Sequence, residues 1–232
     1  MQAYDLKTPL SAYHDHNAAK RVPNLIRRIK DGAVIALISD AGTPLVSDPG
    51  YKLARACIDE QLPVIAIPGA SAVLAGLVSS GMASDKFMFA GFLPPKSAAR
   101  KTQLEALYGV PSSLIFFESA GRLNAAMTDM LEVLGDRPAA IARELTKKYE
   151  EILHGSLSEL IEMLGETKLK GEIVVIIAPP PKKQAWNEAQ ITEMLRARIP
   201  EIGVKRASEE ISKISGIRKR NIYTLALRLK NG

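Results

Sequence analysis

Short apolar runs, separated by segments of helical periodicity, organise most of the chain. Six of these runs are rich in β-branched and aromatic residues and are expected to form strands, at 34–38, 64–67, 87–92, 113–119, 139–144 and 172–178. Between most of them, apolar residues recur every three or four positions, as in "GRLNAAMTDMLEVLG" at 121–135. This alternation predicts an α/β fold, and the lack of polar alternation within the runs predicts sheets covered on both faces.

Proline-rich segments mark the predicted domain boundaries. "GFLPPKSAARK" interrupts the second group of strands at 91–101, and "APPPKKQ" follows the last strand at 178–184, where proline cannot continue a sheet ladder. The chain beyond it reads as helix, a short turn at Gly216 and a basic helix, which is a helix-turn-helix outline. We predict an N-terminal α/β domain over 1–86, a second α/β domain over 87–181 and a basic helical module over 185–232.

Capping residues support one of the predicted helices. Ser156 and Glu159 have the spacing of a capping box, in which each side chain accepts a hydrogen bond from a backbone N–H at the start of the helix. The sequence "SLSELIEMLG" then ends at Gly165. A helix is therefore predicted between these residues.

The positive charge of the chain is concentrated at its C-terminal end. The 232 residues carry a formal charge of +6, and residues 205–232 hold eight Lys and Arg residues against two Glu. Such a localised field suits a polyanion such as nucleic acid, although a solvated helical face would have the same composition. The candidate RNA-binding residues of this tail are Lys205, Arg206, Arg218, Lys219 and Arg220. Tyr223 could stack on a base, but its helical spacing from Leu227 favours a core contact.

Two bends rich in small residues form the candidate ligand site. "ISDAGTPLVSDPG" at 38–50 follows the first apolar run, and "PGASA" at 68–72 follows the second. Ligands of open α/β sheets bind beyond the carboxyl ends of the strands. Gly42 permits close approach of the backbone, and Ser71 is placed to cap the following helix. Because P-loop and dinucleotide patterns are missing from both bends, the pattern predicts either a cofactor or nucleoside site or two ordinary tight turns.

The sequence contains few residues that suit a metal site. His14, Asp15 and His16 stand together, but Cys57 and His154 are the remaining Cys and His residues of the chain. A zinc site needs four ligands, so we expect no metal. No apolar stretch approaches the roughly 20 residues that span a bilayer, and the N-terminus lacks a signal-peptide pattern. A cytoplasmic location is therefore expected.

Six motifs occur in order along the chain: "SDAGTPLVSDPG", "PGASA", "GFLP", "FFES", "ARELTK" and "KGEIVVII". In sequence and spacing they resemble the tetrapyrrole methylase superfamily, from about Leu10 to the C-terminus. Within it, the chain resembles the enzymes that methylate the 2'-hydroxyl of a cytidine ribose in 16S ribosomal RNA of the small ribosomal subunit. The resemblance implies two α/β domains with S-adenosylmethionine in the cleft between them, a homodimer, and a basic C-terminal module that faces RNA.

The resemblance also implies which residues contact the cofactor. These are Asp40, Ala41, Gly42, Thr43 and Pro44 of the first bend, Ser71 and Ala72 of the second bend, and Phe117, Ala142, Glu172 and Ile173 of the second domain.

Methyl transfer to a ribose hydroxyl also needs a group that takes up the hydroxyl proton. Glu118 and Glu144 are the candidate catalytic bases, and Arg143 and Lys147 are candidates for holding a phosphate. The alternative for each glutamate is a structural ion pair, and Arg143–Glu144 is one such expected pair.

Two features depart from the family pattern. Relatives begin with a further strand and a glycine-containing loop, which have no counterpart in this sequence, so we expect an unpaired edge in the first sheet. At 118–122 the sequence reads "ESAGR", where relatives have Pro-His before the arginine. Two alternatives therefore stay open: a methylase of the same superfamily that acts on a tetrapyrrole or a protein, which the basic tail disfavours, and a catalytically impaired RNA-binding form.

Overall fold

The computed structural model describes residues 5, 7–165, 169–181, 187–215 and 217–231. The chain divides into two compact units, Met1–Pro180 and Pro181–Gly232. The predicted turn residue Gly216 lies outside the described residues. The predicted subdivision of the first unit at residue 86 stays a prediction.

A five-stranded mixed sheet forms the centre of the first unit. Its strands are β1 (Phe87–Phe92), β2 (Ser113–Ser119), β3 (Pro138–Arg143), β4 (Glu151–Ser156) and β5 (Glu172–Ile177). Their order in the sheet is β1-β2-β5-β3-β4. β1 pairs with β2 in parallel, whereas the other neighbours are antiparallel. Four strands coincide with predicted apolar runs, and the partly exposed edge strand β4 was missed because its sequence mixes polar and apolar residues.

The apolar runs at 34–38 and 64–67 are not strands, so the prediction is wrong at these two places. Both segments lack regular secondary structure, and within the described residues their backbone N–H groups find no main-chain partner. Most of their side chains are exposed, with Val34 99% and Ile67 81% exposed, whereas Ile35 and Leu37 are half-buried. An apolar sequence favours a strand, but a strand forms only where another backbone supplies its hydrogen bonds.

Helices cover both faces of the sheet. On one face, α3 (Ala72–Ser80) packs on β3 and β5, where Val73 and Leu77 join Val174 and Ile176 in a small core. A Cβ atom on Gly76 would lie 3.1 Å from Val174, so glycine allows α3 to approach the sheet this closely. The other face is covered by α4 (Ser97–Leu107), α5 (Leu123–Leu134) and α6 (Leu157–Leu164), which build the larger core.

The predicted capping box at the start of α6 is confirmed. Ser156 and Glu159 form the expected capping box at the start of α6, with Ser156 Oγ accepting from the Glu159 N–H. Two further helices, α1 (Asp15–Lys30) and α2 (Tyr51–Asp59), pack together through Ile26, Leu53 and Cys57.

The second unit is helical. α7 (Glu188–Ser215) is broken at Gly203, whose φ of 77° and ψ of 161° are not helical, and α8 (Lys219–Asn231) follows. Their core consists of Ile191, Leu195, Ala207, Ile211, Ile222 and Ala226. Every helix in the described part of the chain is too short or too polar to cross a membrane.

Tyr223 and Leu227 lie outside this core, so the predicted core contact of Tyr223 is wrong. The two side chains are 38% and 39% exposed. Ile222 and Ala226 form the buried stripe of α8, and each following residue is turned by about 100° around the helix axis. The four-residue spacing of Tyr223 and Leu227 therefore places them on one stripe, but on the solvent side.

Candidate functional site

The two predicted ligand bends touch each other. The hydroxyl of Thr43 in the first bend donates a hydrogen bond to the carbonyl oxygen of Ala70 in the second, at 2.8 Å. In the second bend, Ser71 caps α3 by accepting from the Leu74 N–H. In the first bend, Ser39 donates its hydroxyl hydrogen to the carbonyl oxygen of Ala41. The bends therefore form one continuous surface in the first unit.

A cavity of about 690 Å³ adjoins these bends. Its walls comprise Tyr13, residues 37–43 and 46–49, the start of α3 at 71–73, Phe92 at the end of β1, residues 117–119 at the end of β2, and residues 171–174 at the start of β5. The volume falls within the range of about 300–1,000 Å³ that is typical of small-molecule sites. The site therefore lies where strand ends and bends converge.

The walls of the cavity combine an aromatic patch with polar groups. The rings of Phe92 and Phe117 meet edge to face, with centroids 5.6 Å apart. The polar residues Asp40, Thr43, Asp48 and Ser71 belong to the same wall. This mixture suits a ligand that has both a planar ring system and charged or hydrogen-bonding groups.

Most of the predicted cofactor residues line this cavity. They are Asp40, Ala41, Gly42, Thr43, Ser71, Ala72, Phe117, Glu172 and Ile173. Pro44 and Ala142 are not among its wall residues, and Ala142 is fully buried in β3 opposite Val174. The contact of each residue with a cofactor stays a prediction.

Several wall residues were missed by the sequence prediction. Among them are Tyr13, whose pKa is raised by burial, and Phe92, Val46 and Gly171. Phe92 belongs to the "GFLP" motif and could have been chosen from it. Tyr13 carries no such signal, because only the packing of the segment before α1 brings it to the cavity.

Glu118 is both a wall residue and a member of an ion pair. The residue is 2% exposed, and its Oε1 accepts a hydrogen bond from the Ser119 N–H at 2.8 Å. Arg122 Nη2 lies 3.3 Å from Glu118 Oε2 and donates to the carbonyl oxygen of Leu93 at 2.6 Å. The pair therefore joins the end of β2 to the loop after β1, while the carboxylate stays at the cavity.

Glu144 is not a wall residue of the cavity, but it forms hydrogen bonds with the wall residue Glu172. Its Oε1 accepts from the Glu172 N–H at 2.9 Å and from Lys147 Nζ at 3.0 Å, and its own N–H donates to the Glu172 carbonyl oxygen. The Glu172 N–H, and then Lys147, lower the pKa of Glu144. A Cβ atom on Gly171, where φ is +98°, would collide with the Glu144 side chain. Glycine is therefore required beneath this carboxylate.

The expected ion pair between Arg143 and Glu144 is wrong. Arg143 lies opposite Glu151 in the β3–β4 ladder, and its guanidinium pairs with that carboxylate at 3.1 Å. Its Nε donates to the carbonyl oxygen of Lys170. Lys147 Nζ lies 3.0 Å from both Glu144 and Glu172. Both candidate phosphate ligands thus have protein partners, and their contact with a phosphate stays a prediction.

The histidines near the N-terminus belong to a helix start. The His14 N–H donates to the side chain of Asn17, which forms a capping box at the start of α1. In the part of the chain that the structure describes, no three His, Cys, Asp or Glu side chains form a group that could hold a metal ion.

Comparison with known families defines the class of this protein. Residues 2–161 match the family of tetrapyrrole (corrin/porphyrin) methylases. The chain belongs to this family, as its motifs predict, and it is an S-adenosylmethionine-dependent methyltransferase.

Curated relatives match almost the whole chain. It is 46% identical over 233 residues to "Ribosomal RNA small subunit methyltransferase I" of Mesorhizobium japonicum, an alignment that covers 100% of this chain and 79% of that protein. The protein of the same name from Haemophilus influenzae is 41% identical over 229 residues, covering 97% of this chain and 81% of the relative.

Solved structures confirm the predicted fold. The crystal structure of the methyltransferase CobJ aligns with a TM-score of 0.54 at 16% identity, covering 77% of each chain. Diphthine synthase aligns with a TM-score of 0.52 at 15% identity, covering 72% of this chain and 68% of that one. At these identities the likeness concerns the fold alone.

Proposed function

We propose that this protein transfers a methyl group from S-adenosylmethionine to the 2'-hydroxyl of a cytidine ribose in 16S ribosomal RNA of the small ribosomal subunit. One observation carries the proposal: the bends at 38–50 and 68–72, which hold two of the family motifs, adjoin the same cavity. The hydrogen bond between Thr43 and Ala70 joins them. The names of the curated relatives support the choice of ribosomal RNA as the substrate.

The groups in the cavity fit the cofactor. Phe92 and Phe117 offer an aromatic wall for an adenine ring, and Asp40, Ser71 and the main chain of the bends offer partners for polar groups. When bound, S-adenosylmethionine supplies the methyl group on a positively charged sulfur. The residues of the bends hold this ligand and exclude water from it, and most of the rate acceleration available to such an enzyme comes from alignment.

Glu118 is the better of the two candidate bases. Its carboxylate lies in the cavity wall and is held in place by Ser119 and Arg122. Glu144 lies behind the rim, and its Oε1 already accepts two hydrogen bonds, which lower its pKa and weaken it as a proton acceptor. We therefore assign proton uptake from the ribose hydroxyl to Glu118 and a positioning role to Glu144.

The basic second unit is the proposed RNA-facing surface. Its exposed basic residues Lys205, Arg206, Arg218, Lys219 and Arg220 supply the positive charge, with Arg143 and Lys147 as further candidates in the first unit. A homodimer in the cytoplasm, acting on the small ribosomal subunit, completes the proposal.

A methyl-transfer assay on intact small subunits tests this function. Subunits that lack the modification are incubated with the full chain and isotopically labelled S-adenosylmethionine, and the nucleosides of the digested RNA are analysed by mass spectrometry. The expected product is labelled 2'-O-methylcytidine. Unlabelled RNA, together with methylation of a tetrapyrrole in a parallel reaction, would instead identify a different methylase of the same family.

A further inference from the structure

Helix α8 presents an exposed face that combines an aromatic ring with basic side chains. We call this the α8 face and define it by Arg220, Tyr223, Thr224, Leu227 and Arg228, all of which are exposed. These positions follow three- and four-residue spacing, opposite the buried stripe of Ile222 and Ala226. The sequence of α8, "KRNIYTLALRLKN", contains no acidic residue. The face is therefore uniformly neutral or positive.

Acidic side chains neutralise part of the positive charge elsewhere in this unit. Arg198 pairs with Glu201 and Glu210 at 2.7 and 2.8 Å. Glu209 pairs with Lys219 at 2.9 Å, and the amino group of Lys213 lies 3.8 Å from the Glu209 carboxylate. Glu209 keeps a lowered pKa because of these cations, chiefly Lys219.

The arginines of the α8 face differ from these neutralised residues. Within the described residues, neither Arg220 nor Arg228 has an ion-pair partner. A groove of about 410 Å³ has Thr224 and Arg228 of this face in its wall, together with the carboxylate-bearing Glu188 and the apolar Ile191, Ile217, Ile222 and Leu225. Two guanidinium groups and an exposed ring are therefore available on this face, and the guanidinium group of Arg228 also borders the groove.

This combination is the one that single-stranded RNA requires. Unpaired bases stack on aromatic side chains, and arginines contact the phosphates that link them. A duplex keeps its bases stacked on each other and offers no ring to Tyr223. The nine residues from Arg220 to Arg228 extend about 12 Å along the helix, which is enough for a few nucleotides of one strand.

We propose that the α8 face binds a single-stranded segment of RNA, with Tyr223 stacking on an unpaired base and Arg220 and Arg228 contacting its phosphates. This inference rests on the proposed function and adds the element and the RNA conformation that it recognises. The uncharged surface of Leu227 extends the stacking platform. Positive charge around the ring favours RNA over an apolar protein partner.

Binding of a short labelled RNA to the full chain tests the inference. Fluorescence anisotropy compares a single-stranded oligonucleotide of mixed sequence with the same strand in a duplex. We expect Tyr223→Ala to weaken single-strand binding about tenfold and Tyr223→Phe, which keeps the ring, to change it less than about twofold. Tyr108→Ala, which removes an exposed tyrosine of the first unit, is the matched control and should bind as the wild type does.

Salt dependence tests the two arginines. The double variant Arg220→Gln/Arg228→Gln should reduce the slope of log affinity against log salt by about 1.4, because each phosphate contact in a single strand contributes about 0.7. Lys213→Gln, in which the replaced lysine lies beside Glu209, is the charge control and should leave most of the slope intact. Circular dichroism confirms that every variant keeps its helices.

Two results would overturn the inference: Tyr223→Ala with wild-type affinity for the single strand, or an equal loss for single strand and duplex. A failure of the proposed function shows separately, as wild-type protein that produces no 2'-O-methylcytidine in small subunits. The two assays use different readouts, so they identify which proposal is wrong.

Discussion

Thr43 and Ala70, 27 residues apart in sequence, are joined by a hydrogen bond of 2.8 Å from the threonine hydroxyl to the alanine carbonyl oxygen. The bond connects the two bends that the family motifs contribute to the cavity. Each residue directly follows a glycine, Gly42 or Gly69, and residues of both bends line the cavity. The rim of the proposed cofactor cavity therefore contains a cross-link, the side-chain hydrogen bond between the two bends.

Removing this cross-link should weaken cofactor binding. Thr43→Val keeps the shape of the side chain but cannot donate the hydrogen bond, and a net loss of about 1 kcal/mol corresponds to roughly fivefold weaker binding of S-adenosylmethionine. Isothermal titration calorimetry measures the change. Thr102→Val serves as the control, because that hydroxyl bonds to the Ala98 carbonyl oxygen within α4. Unchanged affinity in Thr43→Val would show that the cross-link does not shape the site.

Glu118→Gln should separate proton uptake from cofactor binding. Gln keeps the size of the side chain and its position beside Arg122, but it is not a proton acceptor, so kcat should fall about a hundredfold while the affinity for S-adenosylmethionine stays within about threefold. Kinetics on small subunits and calorimetry provide the two numbers. An equal fall in affinity and in kcat would indicate that Glu118 only positions the site.

Glu144 should give the protein a stability component that depends on pH. The Glu172 N–H and Lys147 lower its pKa below the ordinary value of 4.5, so the ionised carboxylate stabilises the folded state above that value. This stabilisation is lost as the pH falls through the folded-state pKa. The melting temperature of the wild type should therefore drop more steeply in acid than that of Glu144→Gln. A difference that is independent of pH would contradict the prediction.

Removing one charge of the buried ion pair between α4 and α5 should lower the free energy of unfolding more than removing a charge from an exposed pair. Arg100 Nη2 lies 2.6 Å from Asp129 Oδ2, and the two side chains are 4% and 8% exposed. Asp129→Ala leaves a buried guanidinium without its carboxylate and should lower the free energy of unfolding by about 3–5 kcal/mol in urea titrations.

A nearby exposed pair provides the control for this change. Glu132→Ala removes the nearer of the two carboxylates beside Lys101, which lies 2.6 Å from Glu132 and 3.7 Å from Asp129. Because Glu132 is 61% exposed, the change should cost less than about 1 kcal/mol. Replacing both buried partners, as in Arg100→Met/Asp129→Leu, should cost less than Asp129→Ala. Equal losses for Asp129→Ala and Glu132→Ala would show that burial of the pair does not govern its contribution.

Hydrogen exchange should distinguish the apolar runs that form strands from the two that do not. Amide protons at 34–38 and 64–67 should exchange rapidly, because within the described residues they lack main-chain acceptors, whereas those of β2 and β5 should be protected. Mass spectrometry of peptides after exchange resolves these segments. Strong protection at 34–38 would mean that another backbone pairs with it in solution.

Much of the fold and of the candidate site could be predicted from neighbouring residues. The runs of β1, β2, β3 and β5, the capping box of α6 and the glycine-containing bends depend on propensity and spacing within a few positions. Most of the cofactor residues that the family motifs imply then line the cavity. These features are local, and so the sequence carries them directly.

Tertiary structure decided which groups became partners. The pairing of Arg143 with Glu151, the bracing of Glu172 by Glu144 and the arrival of Tyr13 at the cavity all join positions that are separated along the chain. Residues 34–38 have a sequence suited to a strand, but no described backbone pairs with them. Tyr223 follows the buried Ile222 in α8, and the turn of about 100° between neighbouring helix residues places its side chain in solvent. Hydrogen bonds and ion pairs need a second group at the right distance, and its position follows only from how the elements pack.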